Sequence, residues 1–308
     1  MLANMLIRYG RRFFSRMSSL VVDWPGSVRS SLSSEWLRLR NPSSKEVMEK
    51  RRRWHLLPMD TWDAEHMQNN LKTFEYDQAL HDWLEAVCFD GIAVLKKGPR
   101  GRRGAVEEIG RRIGFIQRTH FGTVFEVSTK PDASNMAYAS PSTLPFHTDF
   151  PSLSDPPQLQ MLHVLVAAEE GGRSLFVDGF RVAEQLRSER PDVFSLLCRY
   201  GCEFIEEGFD THEGPSGSPS VFNYNMAAWH KTIKTDVDGR VVRVQFGNAM
   251  RSCHFECPPQ LIQDLYRALK IFTDYCYQER NVTLCCGLTR VCCTLGRDTS
   301  TRPPPPEP

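Results

Sequence analysis

The sequence predicts a mainly β fold with flanking helices, an α+β class. From about Thr123 onward the chain breaks into short β-prone runs separated by Pro and Gly. The segments on either side carry apolar residues at helical spacing. With 308 residues, 41% hydrophobic and 24% charged, there is enough apolar surface for one large domain plus a small appendage, which excludes disorder as the dominant state.

The elements follow in order. Asn41 to Arg53 is polar and basic with Pro and Ser, a linker after a short segment ending in Ser34-Glu35-Trp36-Leu37, so a boundary is expected near residue 45. Ala79, Leu80, Trp83, Leu84 and Val87 mark a helix over Asp77 to Val87, and Gly91 to Leu95 reads as a buried strand. Glu107 to Ile113 is a second amphipathic helix. Strands are expected at Thr123 to Val127, Leu159 to Val166, Ser174 to Val177 and Val241 to Phe246. One helix interrupts them, N-capped by Asp178, running from about Arg181 to Tyr200 and bent or broken at Pro191. A last helix is expected over Pro259 to Gln278. Residues 285–308 show no strand or helix period and end in prolines, so they read as a disordered tail after a domain over 46–284, itself preceded by a basic segment over 1–45.

Lys plus Arg number 38 against 37 Asp plus Glu, a net charge of +1. That balance offers no broad field for nucleic acid or an anionic membrane, and points to a small-molecule partner. No run of 18 apolar residues occurs, and mean hydropathy is −0.40, so no membrane span is expected. The ten cysteines include vicinal pairs such as Cys285-Cys286 that cannot easily join distant loops, which favours reduced thiols. Arg8, Arg11, Arg12 and Arg16 lie among Leu, Ile and Phe with no acid before Asp23. This suits a mitochondrial presequence or, equally, an unrelated upstream exon on a cytoplasmic protein.

The chemistry centres on Leu144-Pro145-Phe146-His147-Thr148-Asp149-Phe150. If extended, it puts His147 and Asp149 on one face, where an imidazole nitrogen and a carboxylate oxygen can converge on one ion. A second histidine from elsewhere would complete a 2-His-1-carboxylate site for Fe(II). Taken alone, His-x-Asp is weak: nine histidines, with Asp at about one residue in twenty, give roughly half a match by chance.

Its surroundings are more specific. Gly114-Phe115, Phe121-Gly122, Asp132 to Tyr138 (DASNMAY), Phe146 to Asp149, Gln160 to His163, Gly171-Gly172, Val177 to Phe180 and Val241 to Asn248 (VVRVQFGN) occur in that order. With them the run from about Leu20 to Gln278 resembles the gamma-butyrobetaine dioxygenase family of the taurine-dioxygenase-like superfamily. The resemblance implies a double-stranded β-helix (jelly-roll), and Fe(II) held by His147 and Asp149 as the catalytic pair. It also implies 2-oxoglutarate as co-substrate, ascorbate as reductant, hydroxylation of gamma-butyrobetaine to L-carnitine, and room for a homodimer. Phe121, Phe125 and Tyr138 stand where the family cages the trimethylammonium, by cation–π contacts of ~0.5 to 2 kcal/mol each. The family more usually has Tyr and Trp at the first two places, Phe is the weaker π donor, and both rings also suit a core. Asn135 matches a donor to the substrate carboxylate, and a second family Asn appears here as Gly247 beside Asn248.

Two family features are not matched. The second iron-binding histidine and the Arg for 2-oxoglutarate have no counterpart after Asn281-Val282-Thr283, and no histidine follows His254. The N-terminal zinc module is also not matched, since no cysteine precedes Cys88. Two ligands hold Fe(II) more loosely than three, so little or no hydroxylase activity is expected. Other candidates weigh less. His254-Phe255-Glu256 reads as a strand end. Cys198, Cys202, Cys253 and Cys257 could form a four-thiolate zinc site, at odds of roughly one in ten. Cys285, Cys286, Cys292 and Cys293 suit a soft metal no better than a tail. His163 reads as core, and His120 and His230 have no assigned role. The rivals are a trimethyllysine dioxygenase and a non-catalytic chain that binds an intact subunit.

Overall fold

The computed structural model describes residues 19–41, 44–47, 60–76, 80–99, 101–127, 144–166, 173–213, 219–285, 291–295 and 298–302. The presequence-like residues 1–18 lie outside them. The chain divides into two compact units, Met1–Leu56 and Leu57–Pro308, so the division falls beyond the boundary expected near residue 45. In the first unit, strands β1 (Ser19–Trp24) and β2 (Val28–Ser33) pair antiparallel around a turn in which Gly26 and Ser27 take φ of 82° and 65°. Helix α1 (Ser34–Leu39) follows, capped by the Ser33 side chain on the Trp36 N–H.

The second unit opens with α2 (Ala64–Asn70), capped by Asp63, then β3 (Thr73–Glu75), α3 (Leu80–Asp90), β4 (Ile92–Lys96) and α4 (Ala105–Ile113). Trp83, Ala86 and Val87 of α3 pack with Ala93 and Leu95 of β4 and with Ile109 of α4, as their helical spacing requires. Strands β5 (Leu159–His163) and β6 (Arg173–Val177) precede α5 (Gly179–Glu189) and α6 (Pro191–Arg199). The expected single helix is thus two, parted at Arg190, because Pro191 has no N–H to continue the ladder and is suited to the first turn of a new helix. Asp178 caps α5 as expected, accepting from the Phe180 N–H.

Then come β7 (Gly201–Glu213), β8 (Pro219–Lys231), β9 (Ile233–Thr235), β10 (Val241–Val244), β11 (Arg251–Phe255), a 3-10 turn at Pro259–Leu261 and α7 (Ile262–Cys276). The main core packs α5, α6 and α7 on strand residues: Leu186, Leu197, Phe272 and Cys276 are fully buried against Val177, Ile233 and Val244.

Strands β12 (Val282–Cys285), β13 (Val291–Leu295) and β14 (Asp298–Arg302) complete the chain. The tail expected to be disordered therefore carries strands. Strand β13 lies between β4 and β5 in a sheet of order β3-β4-β13-β5, and β6 lies between β12 and β14. Val-Cys-Cys-Thr-Leu is β-compatible, but its ordering comes from ladders to distant strands that no local period reveals. A third sheet has the order β11-β7-β8, and β9 pairs with β10. Thr123 to Val127, expected as a strand, is irregular: Thr119 and Gly122 exchange N–H···O bonds of 2.9 Å, and Gly122 turns the chain with φ of 92°. Among the described residues no helix is long and apolar enough to cross a membrane.

Candidate active site

His147 and Asp149 lie outside the named strands, on a segment that bends at Phe146 and again at Asp149, so the facing expected from strand alternation needs another cause. Phe146 and Thr148 supply it. Phe146, 1% exposed, packs its ring 4.7 Å from that of Tyr277, whose hydroxyl accepts from the Phe146 N–H at 3.2 Å. Thr148 is buried: its N–H and hydroxyl donate to the Phe246 carbonyl at 2.7 and 3.1 Å, while its oxygen accepts from the Phe246 N–H and the Gln245 amide, both at 3.0 Å. With the even positions turned inward, His147 and Asp149 emerge together, with side chains 19% and 32% exposed. Gly247 lies beside them; a Cβ there would come 3.8 Å from His147 Cβ and 3.0 Å from Met250 Cε.

The imidazole is oriented by the backbone. His147 Nδ1 lies 2.7 Å from the Pro145 carbonyl, which can only accept, so Nδ1 carries a proton. Nε2 faces Asp149 Oδ1 at 3.2 Å, a separation that either a second imidazole proton or a metal ion can bridge. A backbone carbonyl orienting the far nitrogen is how metal-binding imidazoles are commonly held. The pair therefore fits Fe(II) as two of its ligands. Among the described residues no third His, Cys, Asp or Glu completes a metal-binding group with them or among the Cys198, Cys202, Cys253 and Cys257 thiols. Of those thiols, Cys198 and Cys202 are pushed up to about 11 by burial, far from the thiolate form.

Directly after Asp149 the backbone is strained: Phe150 has φ of 54°, a region bulky residues rarely enter. The turn it starts is tied down from several elements. Ser152 donates to Glu206 on β7 at 2.8 Å, His230 Nε2 on β8 bonds the Leu153 carbonyl at 2.8 Å, and the Gln117 amide donates to the Asp155 carbonyl at 3.0 Å. Burial pushes the Glu206 carboxyl up in pKa, the Ser152 hydroxyl opposes this, and the Asp149 charge adds to the rise. Burial pushes His230 down, partly offset by its bond to Leu153.

Beside this turn stands an aromatic cluster. Phe121 and Phe125 are stacked at 4.6 Å, with Phe121 buried and Phe125 40% exposed. The His120 ring lies 3.9 Å from Phe121, 4.8 Å from Tyr224 and 5.7 Å from Phe150, and Phe121 reaches Phe222 at 6.4 Å. Two expected cage residues are thus together, joined by the rings of Phe150, Phe222 and Tyr224, none of which was expected in the cage. Tyr138 and Asn135 lie outside the described residues. Asn248 points its amide at Thr273 Oγ1 of α7, 3.5 Å away. His254 is an exposed partner of Glu203 at 3.0 Å, and His163 lies on β5 near Gly98. Glu206 was missed because its strand, β7, was not foreseen; an acid two places from buried Phe204 was the available signal.

Residues 56–284 match the family described as taurine catabolism dioxygenase TauD, TfdA family. The chain belongs to the TauD/TfdA family. The family is named for a dioxygenase of taurine catabolism. This TauD/TfdA chain is 33% identical to gamma-butyrobetaine dioxygenase of Homo sapiens over 257 residues, covering 82% of this chain and 63% of that protein. It is 27% identical to mitochondrial trimethyllysine dioxygenase of Homo sapiens over 225 residues, covering 70% of this chain and 51% of that protein. It therefore spans less than two thirds of the length of either relative. A crystal structure described as a putative alpha-ketoglutarate-dependent taurine dioxygenase from Burkholderia xenovorans superposes with a TM-score of 0.52 at 12% identity, covering 76% of this chain and 83% of that one. At that identity the likeness shows the fold, which is the jelly-roll class expected from the sequence.

Proposed function

We propose that this TauD/TfdA chain hydroxylates gamma-butyrobetaine, with His147 and Asp149 as Fe(II) ligands and Phe121, Phe125, Tyr138, Asn135 and Asn248 as substrate contacts. The observation that carries the reading is His147 Nε2 facing Asp149 Oδ1 at 3.2 Å beside an aromatic cluster. With Fe(II) and 2-oxoglutarate held there, dioxygen would be the oxidant, one of its oxygen atoms entering the substrate C–H bond as hydroxyl and the other entering succinate as 2-oxoglutarate loses CO2. The protein's own part is placement. The Pro145 carbonyl keeps the His147 proton on Nδ1, the carboxylate of Asp149 offsets part of the metal charge, and the Phe121 and Phe125 faces attract a trimethylammonium that cannot donate a hydrogen bond. Holding both poles of the substrate decides which C–H lies nearest the metal.

With two ligands among the described residues, iron is held loosely and turnover is slow. Trimethyllysine is the second reading: it offers the same cation, and the 27% identity to its dioxygenase ranks it below butyrobetaine at 33%. The test is anaerobic titration of the full chain with Fe(II) and 2-oxoglutarate, followed by succinate release with each substrate. The reading expects His147→Ala and Asp149→Ala each to abolish iron binding. Iron binding untouched by both substitutions ends it. Succinate dependent on trimethyllysine alone transfers the activity to the second reading, and a folded chain that releases none with either substrate leaves a non-catalytic binding role.

A further inference from the structure

We propose that Glu206 supplies the counter-charge for the quaternary ammonium of the substrate, from the face of the β7–β8 hairpin that also carries Tyr224; this rests on the reading above that the site takes a trimethylammonium compound. The register sets Glu206 opposite Met226 and Gly208 opposite Tyr224, so strand alternation puts the carboxylate and the phenol ring on one face. That face meets the aromatic cluster. Glu206 Oε1 lies 3.7 Å from His120 Nε2, and the His120 ring is 4.8 Å from Tyr224 and 3.9 Å from Phe121. Ser152 binds the other carboxylate oxygen, Oε2, at 2.8 Å.

The Glu206 side chain is 12% exposed. A carboxylate withdrawn from water among rings, with the Asp149 charge nearby, favours its neutral form unless a positive charge is close, which a protonated His120 at 3.7 Å or a bound cation can supply. A tetraalkylammonium has diffuse charge and no N–H. It is therefore held by aromatic faces and by an anion at van der Waals distance, rather than by directed hydrogen bonds. Rings alone also accommodate a neutral tert-butyl group of the same shape. The carboxylate is what makes the site discriminate charge from bulk.

The experiment compares binding of gamma-butyrobetaine with binding of its neutral isostere, in which carbon replaces the ammonium nitrogen. Both are followed by ligand-observed NMR on the metal-free full chain. Wild type is expected to prefer the cation by on the order of tenfold or more. Glu206→Gln is expected to bring the two dissociation constants within about threefold while leaving that of the isostere unchanged. Glu206→Asp, with the charge on a shorter arm, keeps more of the preference than Glu206→Gln. Full preference in Glu206→Gln overturns this inference alone. Equal loss in both variants, with isostere binding lost too, reports a collapsed site and also overturns it. A wild-type chain that binds neither compound overturns the substrate reading itself.

Discussion

Asp178 and Asp149 are both aspartates at the ends of short segments, yet the two regions around them treat the carboxylate in opposite ways. Asp178 is 1% exposed and surrounded by donors: one oxygen accepts from the Phe180 N–H at 3.0 Å, the other from the Trp62 N–H at 2.9 Å. It joins the start of α5 to the chain ahead of α2, over the helical core. Asp149 faces Nε2 of an imidazole whose other nitrogen bonds a backbone carbonyl, next to a residue with positive φ and near a second acid. Where an acid is structural, the fold surrounds it with N–H groups. Asp149, with an imidazole nitrogen at 3.2 Å and strained backbone beside it, has the surroundings that the proposed Fe(II) site requires.

That contrast is broken or sharpened by paired substitutions. Asp178→Ala strips a helix cap and leaves the buried Trp62 N–H without its acceptor, so thermal or urea unfolding is expected to show a loss of about 3 kcal/mol. Asp149→Ala removes one partner of a part-exposed pair and is expected to change stability by under about 1 kcal/mol while abolishing Fe(II) binding. A large destabilisation by the second substitution would erase the distinction. Thr148→Val lies between the two regions, since Thr148 is a buried residue that aims its neighbours. It removes the hydroxyl's bonds to Gln245 and Phe246 while the backbone bond to Phe246 stays, with an expected cost of about 1–3 kcal/mol, and lets His147 rotate, so Fe(II) affinity falls together with stability.

Legibility in the sequence divides along the same line. The Asp178 cap, the break at Pro191 and helix α7 could be read because capping residues, proline and apolar spacing act locally. The convergence of His147 and Asp149 was also foreseen, although its cause is the burial of Phe146 and Thr148 rather than membership of a strand. The β7–β8 hairpin was not foreseen, and β8 shows why. Phe222, Tyr224, Met226 and Ala228 turn inward and alternate strictly with exposed Val221, Asn223, Asn225, Ala227 and Trp229. Because three of the outward residues are apolar, geometry alternates while hydropathy does not. Strand β7 inverts the usual pattern, with Glu206 turned inward and Phe209 exposed. Glu206 is therefore hidden from the hydropathy pattern by its own burial.

The smallest expected effect concerns pH and the hairpin's hold on the turn after Asp149. His230 donates from Nε2 to the Leu153 carbonyl and is half-buried, and burial lowers its pKa below the ordinary value of 6.5, with the Arg243 and Lys234 charges acting the same way. A histidine with a lowered folded pKa binds fewer protons folded than unfolded, so stability rises with pH across the interval between the two values. The contribution is present above 6.5 and is lost as pH falls from there toward the folded pKa. Unfolding free energies measured from pH 7.5 down to 5.5 are expected to decline in wild type. His230→Gln keeps a donor but does not titrate, and is expected to flatten the part of that decline due to this residue. An unchanged slope in the glutamine variant would mean that the imidazole does not titrate in this interval and that the turn is held by Ser152 and Gln117 without it.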